Sequence, residues 1–427
     1  MTVARPRVAA VGGTRTVPEP DGVARDYLLL ALRLDQYLPG LVDGYYGPAD
    51  LKATVDLESR RTPARLREDA AALRERIRAE VEPAERRAWL EAQAGALEMH
   101  AVVAGGADLP YVEQVRAAFG FGPARCDDAA FDAAAGEIDR LLPGPAPLAA
   151  RLAAWDARLE IPTERLPAVV DWLVAAFRAR AAATFGVPPG EDLRVTLVRG
   201  QPWSGYNWYD GGLRSRVDLN TDLPIRAPQL THTIAHETFP GHHLEHAWKE
   251  ADLVERNGRL EASVLLINTP ECLVSEGLAD LGYRFALPPA ERPAFFAELF
   301  RRAGLQLGPE AALREVAVVA AALMEPRAIL RAAAVNAALM RHADGAPQKV
   351  VLDYLVETGR FAPDVAAKRL EFIEHPLWRT YVFVYSEGEA LLRAWVDSVP
   401  EVDRAGRFAR LLHEQLAPGA IVDEVGA

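Results

Sequence analysis

From Asp21 to about Gly186, apolar residues recur at intervals of three and four, as in Tyr27, Leu28, Leu30, Leu32, Leu34 and Tyr37. That spacing draws an apolar stripe along a helix, so the segment predicts a series of amphipathic helices. Proline and glycine interrupt it at Pro39-Gly40, Gly47-Pro48, Pro63, Gly105-Gly106, Pro143-Gly144-Pro145 and Pro188-Pro189-Gly190, which sets short loops between the helices. At Asp192 the period changes. Leu193 to Val198 alternates with period two, Tyr206 to Tyr209 is aromatic and β-prone, and Arg214 to Asn220 alternates again, with Gly211-Gly212 placed as a hairpin turn. Three short strands are expected there. Helical spacing then resumes to about Leu416, including an Ala-rich stretch from Ala311 to Met340, interrupted at Pro326 and expected to be largely buried. The pattern predicts a mainly α protein with a small antiparallel β-sheet. It divides into a disordered leader over 1–20, an N-terminal helical lobe over 21–190 and a second lobe over 191–427, the lobes forming one structural unit.

Composition removes several functions. The chain of 427 residues carries 48 Lys+Arg against 60 Asp+Glu, a net charge of −12. Binding to a nucleic-acid duplex needs a basic face, and none is found. Cys126 and Cys272 lie far apart and make neither a disulfide framework nor a thiolate metal site. Apolar runs such as Val316 to Met324 stop well short of the roughly 18 residues that span a bilayer. Met1 to Pro20 lacks the apolar core of a secretory signal. A cytoplasmic protein with no membrane partner is expected.

Chemistry concentrates in one place. Five of the nine histidines (His232, His236, His242, His243 and His246) fall within fifteen residues. Their centre reads His236-Glu237-Thr238-Phe239-Pro240-Gly241-His242-His243. A His-Glu pair followed one turn later by His is a zinc-hydrolase pattern, in which two imidazoles hold the metal and the Glu serves its water. Here the second His comes six or seven residues after the first instead of four. Pro240 cannot donate to its i−4 carbonyl and Gly241 tolerates unusual dihedrals, so a kink or bulge is expected inside the motif. Such a bulge places His242 where the regular motif has its second ligand. His243 is the alternative, on the same face as His236 in a straight helix but roughly 10 Å further along. A third ligand is expected on the helix opened by Thr269 as N-cap and Pro270 at the first helical position. Glu276 and Asp280 lie one turn apart there among Leu273, Val274, Leu278 and Leu281, which suggests Glu276 as ligand and Asp280 as the acid that orients a ligand imidazole. His232 and His246 read as supporting or surface groups, and Glu245 and Glu250 as solvated helix charges.

The segment His236 to Leu244, followed by Glu276-Gly277, resembles the bacterial family catalogued as domain of unknown function 885, placed among the helical Glu-zincin peptidases. Gly241-His242-His243-Leu244 is also similar to the Gly-His-x-Leu of thimet oligopeptidases and thermostable carboxypeptidases, which supports His242. Asp43-Gly44-Tyr45-Tyr46-Gly47-Pro48 is similar to a segment of actinobacterial members. Two family features are not matched: an Asp-Thr-Gly-x-His stretch is not recognisable between Asn336 and Asp344, and Arg379-Thr380-Tyr381-Val382 stands where relatives have Pro-Gly-Gln-Ala. The resemblance implies a two-lobed, zincin-like metallopeptidase fold holding one zinc ion per chain.

The expected chemistry is hydrolysis of a peptide or small amide, with His236, His242 and Glu276 as ligands and Glu237 as general base. Tyr381 and Tyr385, one turn apart, are candidates to donate to the oxyanion; Tyr385 matches the family's tyrosine and is preferred, with His375 a weaker choice. The strand Arg214 to Asn220 is expected to present an edge to an extended substrate. The alternatives are a zinc hydrolase of a non-peptide amide or ester, and a non-catalytic helical protein with a structural zinc.

Overall fold

The computed structural model describes residues 20–201 and 203–426; the leader lies outside them save for Pro20. Helices α1 (Gly22–Asp35), α2 (Ala49–Leu57), α3 (Pro63–Glu80) and α4 (Ala84–Ala104) pack Leu28, Leu51, Leu66, Ile77 and Leu97 into one core. Their starts are chemically marked: Asp21 accepts from the Ala24 amide (2.8 Å), and Thr62 caps α3 directly ahead of Pro63. Between α1 and α2 runs a short strand, β1 (Val42–Tyr45). Helices α5 (Tyr111–Phe119), α6 (Asp128–Leu141), α7 (Leu148–Arg158) and α8 (Leu166–Thr184) complete the first helical run.

A three-stranded sheet follows, from β2 (Asp192–Val198), β3 (Gly205–Tyr209) and β4 (Arg214–Asn220). The strands and the turn at Gly211-Gly212 fall where the period-two pattern put them, and β3 pairs antiparallel with β4, Tyr209 facing Ser215. The first strand differs in one respect: β2 joins β4 in parallel, Asp192 facing Arg214 and Val198 facing Asn220. The order is therefore β2-β4-β3, so β4 is central and the expected substrate edge is not there; β2 and β3 hold the two edges instead.

Next come α9 (Ala227–Glu237), α10 (His242–Lys249), a π-helical turn over Glu250–Arg256, β5 (Val264–Leu266) and α11 (Pro270–Ala286). The antiparallel pairing of β5 with β1 ties the start of the chain to the segment just before α11. It was missed in the sequence because strands of three and four residues carry too few alternations to register.

The rest is helical: α12 (Arg292–Arg302), α13 (Glu310–Ala322), α14 (Met324–Arg331), α15 (Ala333–His342), α16 (Gln348–Glu357), α17 (Pro363–Glu374), α18 (Val382–Asp397), α19 (Arg404–His413) and α20 (Pro418–Gly426). The Ala-rich stretch breaks at Leu323 and Ala332 rather than at Pro326, which sits in the first turn of α14, where its missing N–H has no partner to lose. That stretch is also less buried than expected, with Val318 and Ile329 on the outside.

No boundary between cores falls at residue 190. Phe131, Trp155 and Phe177 of α6–α8 share one core with Ile234 of α9, Leu278 of α11 and Trp395 of α18, while α5 packs with α15–α18. Two of these helices meet unusually closely. A Cβ added to Gly277 of α11 would lie 2.4 Å from the carbonyl carbon of Gly388 in α18, and one on Gly388 would lie 2.5 Å from the Leu273 carbonyl oxygen. Only glycine at both positions permits that contact. Among the described residues, no helix is long and apolar enough to cross a membrane.

Candidate metal centre

The His-Glu pair ends α9, whose other face buries Leu230, Ile234 and Ala235. The helix stops at Thr238, and its hydroxyl donates to the Ile234 carbonyl (2.5 Å). The expected kink is in fact a break, a loop over 238–241 after which α10 begins at His242. Gly241 makes the reversal possible: its amide donates to the Ala235 carbonyl (3.1 Å), and a Cβ there would sit 1.8 Å from the His236 carbonyl oxygen. The loop absorbs the lengthened spacing and turns the first side chain of α10 back toward His236.

Three ligand side chains then converge. His236 Nε2 lies 3.2 Å from His242 Nε2 and 3.4 Å from Glu276 Oε2, and His242 Nε2 lies 3.4 Å from Glu276 Oε1. Zinc bonds of about 2.0–2.1 Å in a tetrahedron put donors about 3.3–3.4 Å apart, so each of these separations matches donor spacing around one zinc ion, with Glu276 turning a different oxygen to each imidazole. Glu276 Oε2 is buried and has no hydrogen-bond partner among the described residues. Such an oxygen is costly unless a cation or donor completes it, so the residues present fit a divalent metal.

Outer partners fix each ligand. Asp280 Oδ1 accepts from His236 Nδ1 (2.9 Å), which leaves Nε2 its lone pair, and Asp280 also meets His232 Nε2 at 3.3 Å. For His242, Nδ1 faces Ser275 Oγ (3.3 Å), the serine hydroxyl donates to Glu245 (2.6 Å), and Lys249 Nζ donates to the same carboxylate (2.7 Å). Tyr381 donates its phenol to Glu276 Oε1 (2.6 Å). A second grouping, His242, Glu245 and His246, is close enough to be weighed, but both Glu245 oxygens already serve Ser275 and Lys249.

The electrostatics of the triangle favour a cation. Burial alone would lower the imidazole of His242, yet Glu276 and Glu245 outweigh it and raise it to about 10. His236 is likewise raised, burial being outweighed by Asp280 and Glu276. Glu276, which burial would raise, is held down to about 2 by His242 and His236. The same field that draws protons onto the imidazoles would hold a dication.

Glu237 stands beside this triangle. Its side chain is buried and makes no hydrogen bond to another described residue, and Gly205 of β3 leaves room for it, since a Cβ there would come within 3.3 Å of Glu237 Oε1. Burial raises its carboxyl, the imidazoles counter this, and Glu276 and Asp280 add to the rise. Asn207 of β3 donates to the Glu237 carbonyl (2.7 Å). Gly205 and Asn207 went unnoticed in the sequence, because only the pairing of β3 beside α9 shows their use. Asp43 of β1, read in the sequence only as part of a similar segment, accepts from the Tyr206 hydroxyl, a contact between residues far apart in the chain.

All these groups line one cavity of about 1620 Å³. Tyr385 is exposed on it at 41 %, its ring 5.6 Å from that of Tyr381. His375 lines the same cavity but accepts from the Leu377 amide and stacks on Trp378. His246 stacks on His242, with ring centroids 5.7 Å apart. His243 points elsewhere: it is fully buried, with Nδ1 2.8 Å from Ser215 Oγ and Nε2 2.9 Å from Glu191. Two expectations are corrected. Glu245 and Glu250 are not solvated helix charges: Glu245 is buried on Lys249, and Glu250 accepts from the Tyr209 hydroxyl and from the Gly212 (2.9 Å) and Leu213 (3.0 Å) amides at the hairpin turn.

Neither a protein-family model nor a curated protein sequence matches the chain. Among solved structures, it is similar to a protein of Colwellia psychrerythraea, provisionally described as a lipoprotein, with a TM-score of 0.50 and 13% identity over 84% of this chain. The match spans 66% of that protein's length, just under two thirds. A second similar structure, from Shewanella oneidensis, is provisionally described as a lipoprotein of unknown function; it gives a TM-score of 0.45 and 11% identity, covering 94% of this chain and 72% of that one. The first likeness speaks to the fold alone.

Proposed function

We propose that the protein is a zinc-dependent hydrolase of peptide bonds, with His236, His242 and Glu276 as ligands. The observation that carries this reading is the convergence of His236, His242 and Glu276 at donor separations of 3.2–3.4 Å, with one Glu276 oxygen lacking a hydrogen bond among the described residues, next to a buried Glu237 side chain that likewise makes none among them. The resemblance of His236 to Leu244 and Glu276-Gly277 to the Glu-zincin peptidases supports it. A purely structural metal site has no use for Glu237.

A zinc ion held by these ligands supplies Lewis acidity and a nucleophilic water near neutral pH. Glu237 takes the proton of the attacking water and returns it to the departing amine, for which its raised carboxyl suits it. Asp280 and Glu245 keep both imidazoles in one tautomer. Tyr385 lines the cleft with a phenol that makes no hydrogen bond among the described residues, and its O–H donates to the carbonyl oxygen as negative charge develops there. Tyr381 is already engaged with Glu276 and acts through that ligand. Two features favour peptides: the cavity exceeds the roughly 300–1,000 Å³ usual for small-molecule sites, and edge strand β3 lies along it.

The test is metal content together with hydrolysis of a mixed peptide pool by wild type and Glu237→Gln. One zinc per chain in both, with turnover reduced about 10²–10⁴-fold in the variant, is expected. Wild-type protein that holds no stoichiometric metal after zinc loading would sink the proposal.

A further inference from the structure

Most cations around the cavity have carboxylate partners. Arg226 and Arg327 pair with Asp156, Arg360 with Asp132, and Arg393 with Glu389 and Glu325. Arg331 of α14 and Lys368 and Arg369 of α17 do not: among the described residues none of the three makes a hydrogen bond or ion pair, yet all line the cavity. Arg369 is the most enclosed of them. Its Nε is buried without a partner, and its guanidinium lies over the Phe361 ring at 4.5 Å, which holds one face and leaves the donor edges free. Burial, and then the like charge of Arg331, pulls this guanidinium down to about 10, while Tyr385 acts in the opposite sense. Tyr385 also feels Glu276 and Glu237, so its helix links the basic wall to the metal centre.

A largely enclosed guanidinium beside the like charge of the exposed Arg331, neither paired with a carboxylate among the described residues, is unfavourable in the free protein. A planar, bidentate partner would relieve this, and a carboxylate has that geometry. We infer that Arg369, assisted by Arg331, binds a carboxylate of the substrate, either the free C-terminus of a peptide or an acidic side chain, and that the protein selects peptides by this charge. The inference deepens the hydrolase reading and rests on it for the substrate class, but the binding it asserts does not require turnover.

The experiment is equilibrium dialysis of a random-sequence tetrapeptide pool, as free acids and as C-terminal amides, against the full chain with EDTA present, read by mass spectrometry. Wild type should retain free acids about ten- to hundredfold better than amides. The ratio should fall close to one in Arg369→Ala, stay intermediate in Arg369→Lys, and drop by a smaller factor in Arg331→Ala. If amidated peptides containing Asp or Glu are retained as well as free acids, and Arg369→Ala abolishes that too, the bound group is the side chain; otherwise it is the C-terminus. Wild type that treats acids and neutral amides alike, or a preference that survives Arg369→Ala, overturns the inference. Should Arg369→Ala fail to fold by circular dichroism, the lysine variant and Arg331→Ala decide in the same way. The same pools with zinc-loaded protein separate the two claims: acid preference without cleavage leaves the carboxylate site standing and removes the peptidase, and cleavage without preference does the reverse.

Discussion

His242 and His243 are neighbours on α10, yet they sit in opposite chemical situations. One turns toward the cleft, its Nδ1 committed to Ser275 and Glu245 and its Nε2 held 3.2–3.4 Å from two other donors. The other turns toward the sheet, where Ser215 and Glu191 use both of its nitrogens. Burial and residue type do not distinguish them. What does is whether the protein itself completes the hydrogen-bonding capacity of the ring: a saturated imidazole holds a fold together, and one left with a lone pair beside a carboxylate is prepared for something from outside.

The sharpest way to break this contrast is to remove each ring. We predict that His242→Ala loses stoichiometric zinc, measured by atomic emission, while its urea stability without metal changes little. His243→Ala should keep the zinc and instead lose about 1–3 kcal/mol, because Ser215 and the Glu191 oxygen not held by Arg178 lose their partner. The reverse pattern would exchange the roles of the two residues. A smaller effect is expected from Tyr381→Phe, which deletes one hydrogen bond to Glu276; zinc affinity by chelator competition should weaken about 10–100-fold. Unchanged affinity with lost turnover would instead make Tyr381 a direct partner of the substrate.

The smallest effect concerns the sheet side. Burial would raise the Glu191 carboxyl, but His243 and Arg178 outweigh it and hold the group below its ordinary range. A depressed folded value means stability that is complete above the unfolded value of about 4.3 and fades as pH falls through the folded one. Glu191→Gln should therefore cost about 1–2 kcal/mol in urea unfolding at pH 7. The gap should close below about pH 4. A gap that widens in acid would remove the ion pair from the account.

Much of the cleft side was legible in the chain. Thr269-Pro270 announced α11, and Glu276 and Asp280, one turn apart among leucines, announced a carboxylate pair in need of partners. Pro240-Gly241 announced a disruption, though not that the helix would stop. The sheet side and the surroundings were poorly legible, for a physical reason. A charge on a helix reads as solvated unless its partner is known, and the partners of Glu245 and Glu250 are a lysine brought in by the next turn and the amides of a hairpin thirty-odd residues upstream. The parallel docking of β2 and the pairing of β1 with β5 are long-range choices that local alternation does not encode.

The glycine crossing of α11 and α18 bears on all of this. With no side chains between the two backbones, the distance from the Tyr381 end of α18 to Glu276 is set by a hard stop rather than by packing that can yield. A single methyl on Gly277 or Gly388 would act as a wedge, and the gap it opened would use up the whole tolerance of a 2.6 Å hydrogen bond. Two residues that touch no reacting atom thus act as the gauge block of the site, and the smallest side chains in the chain govern the alignment of its largest polar ones.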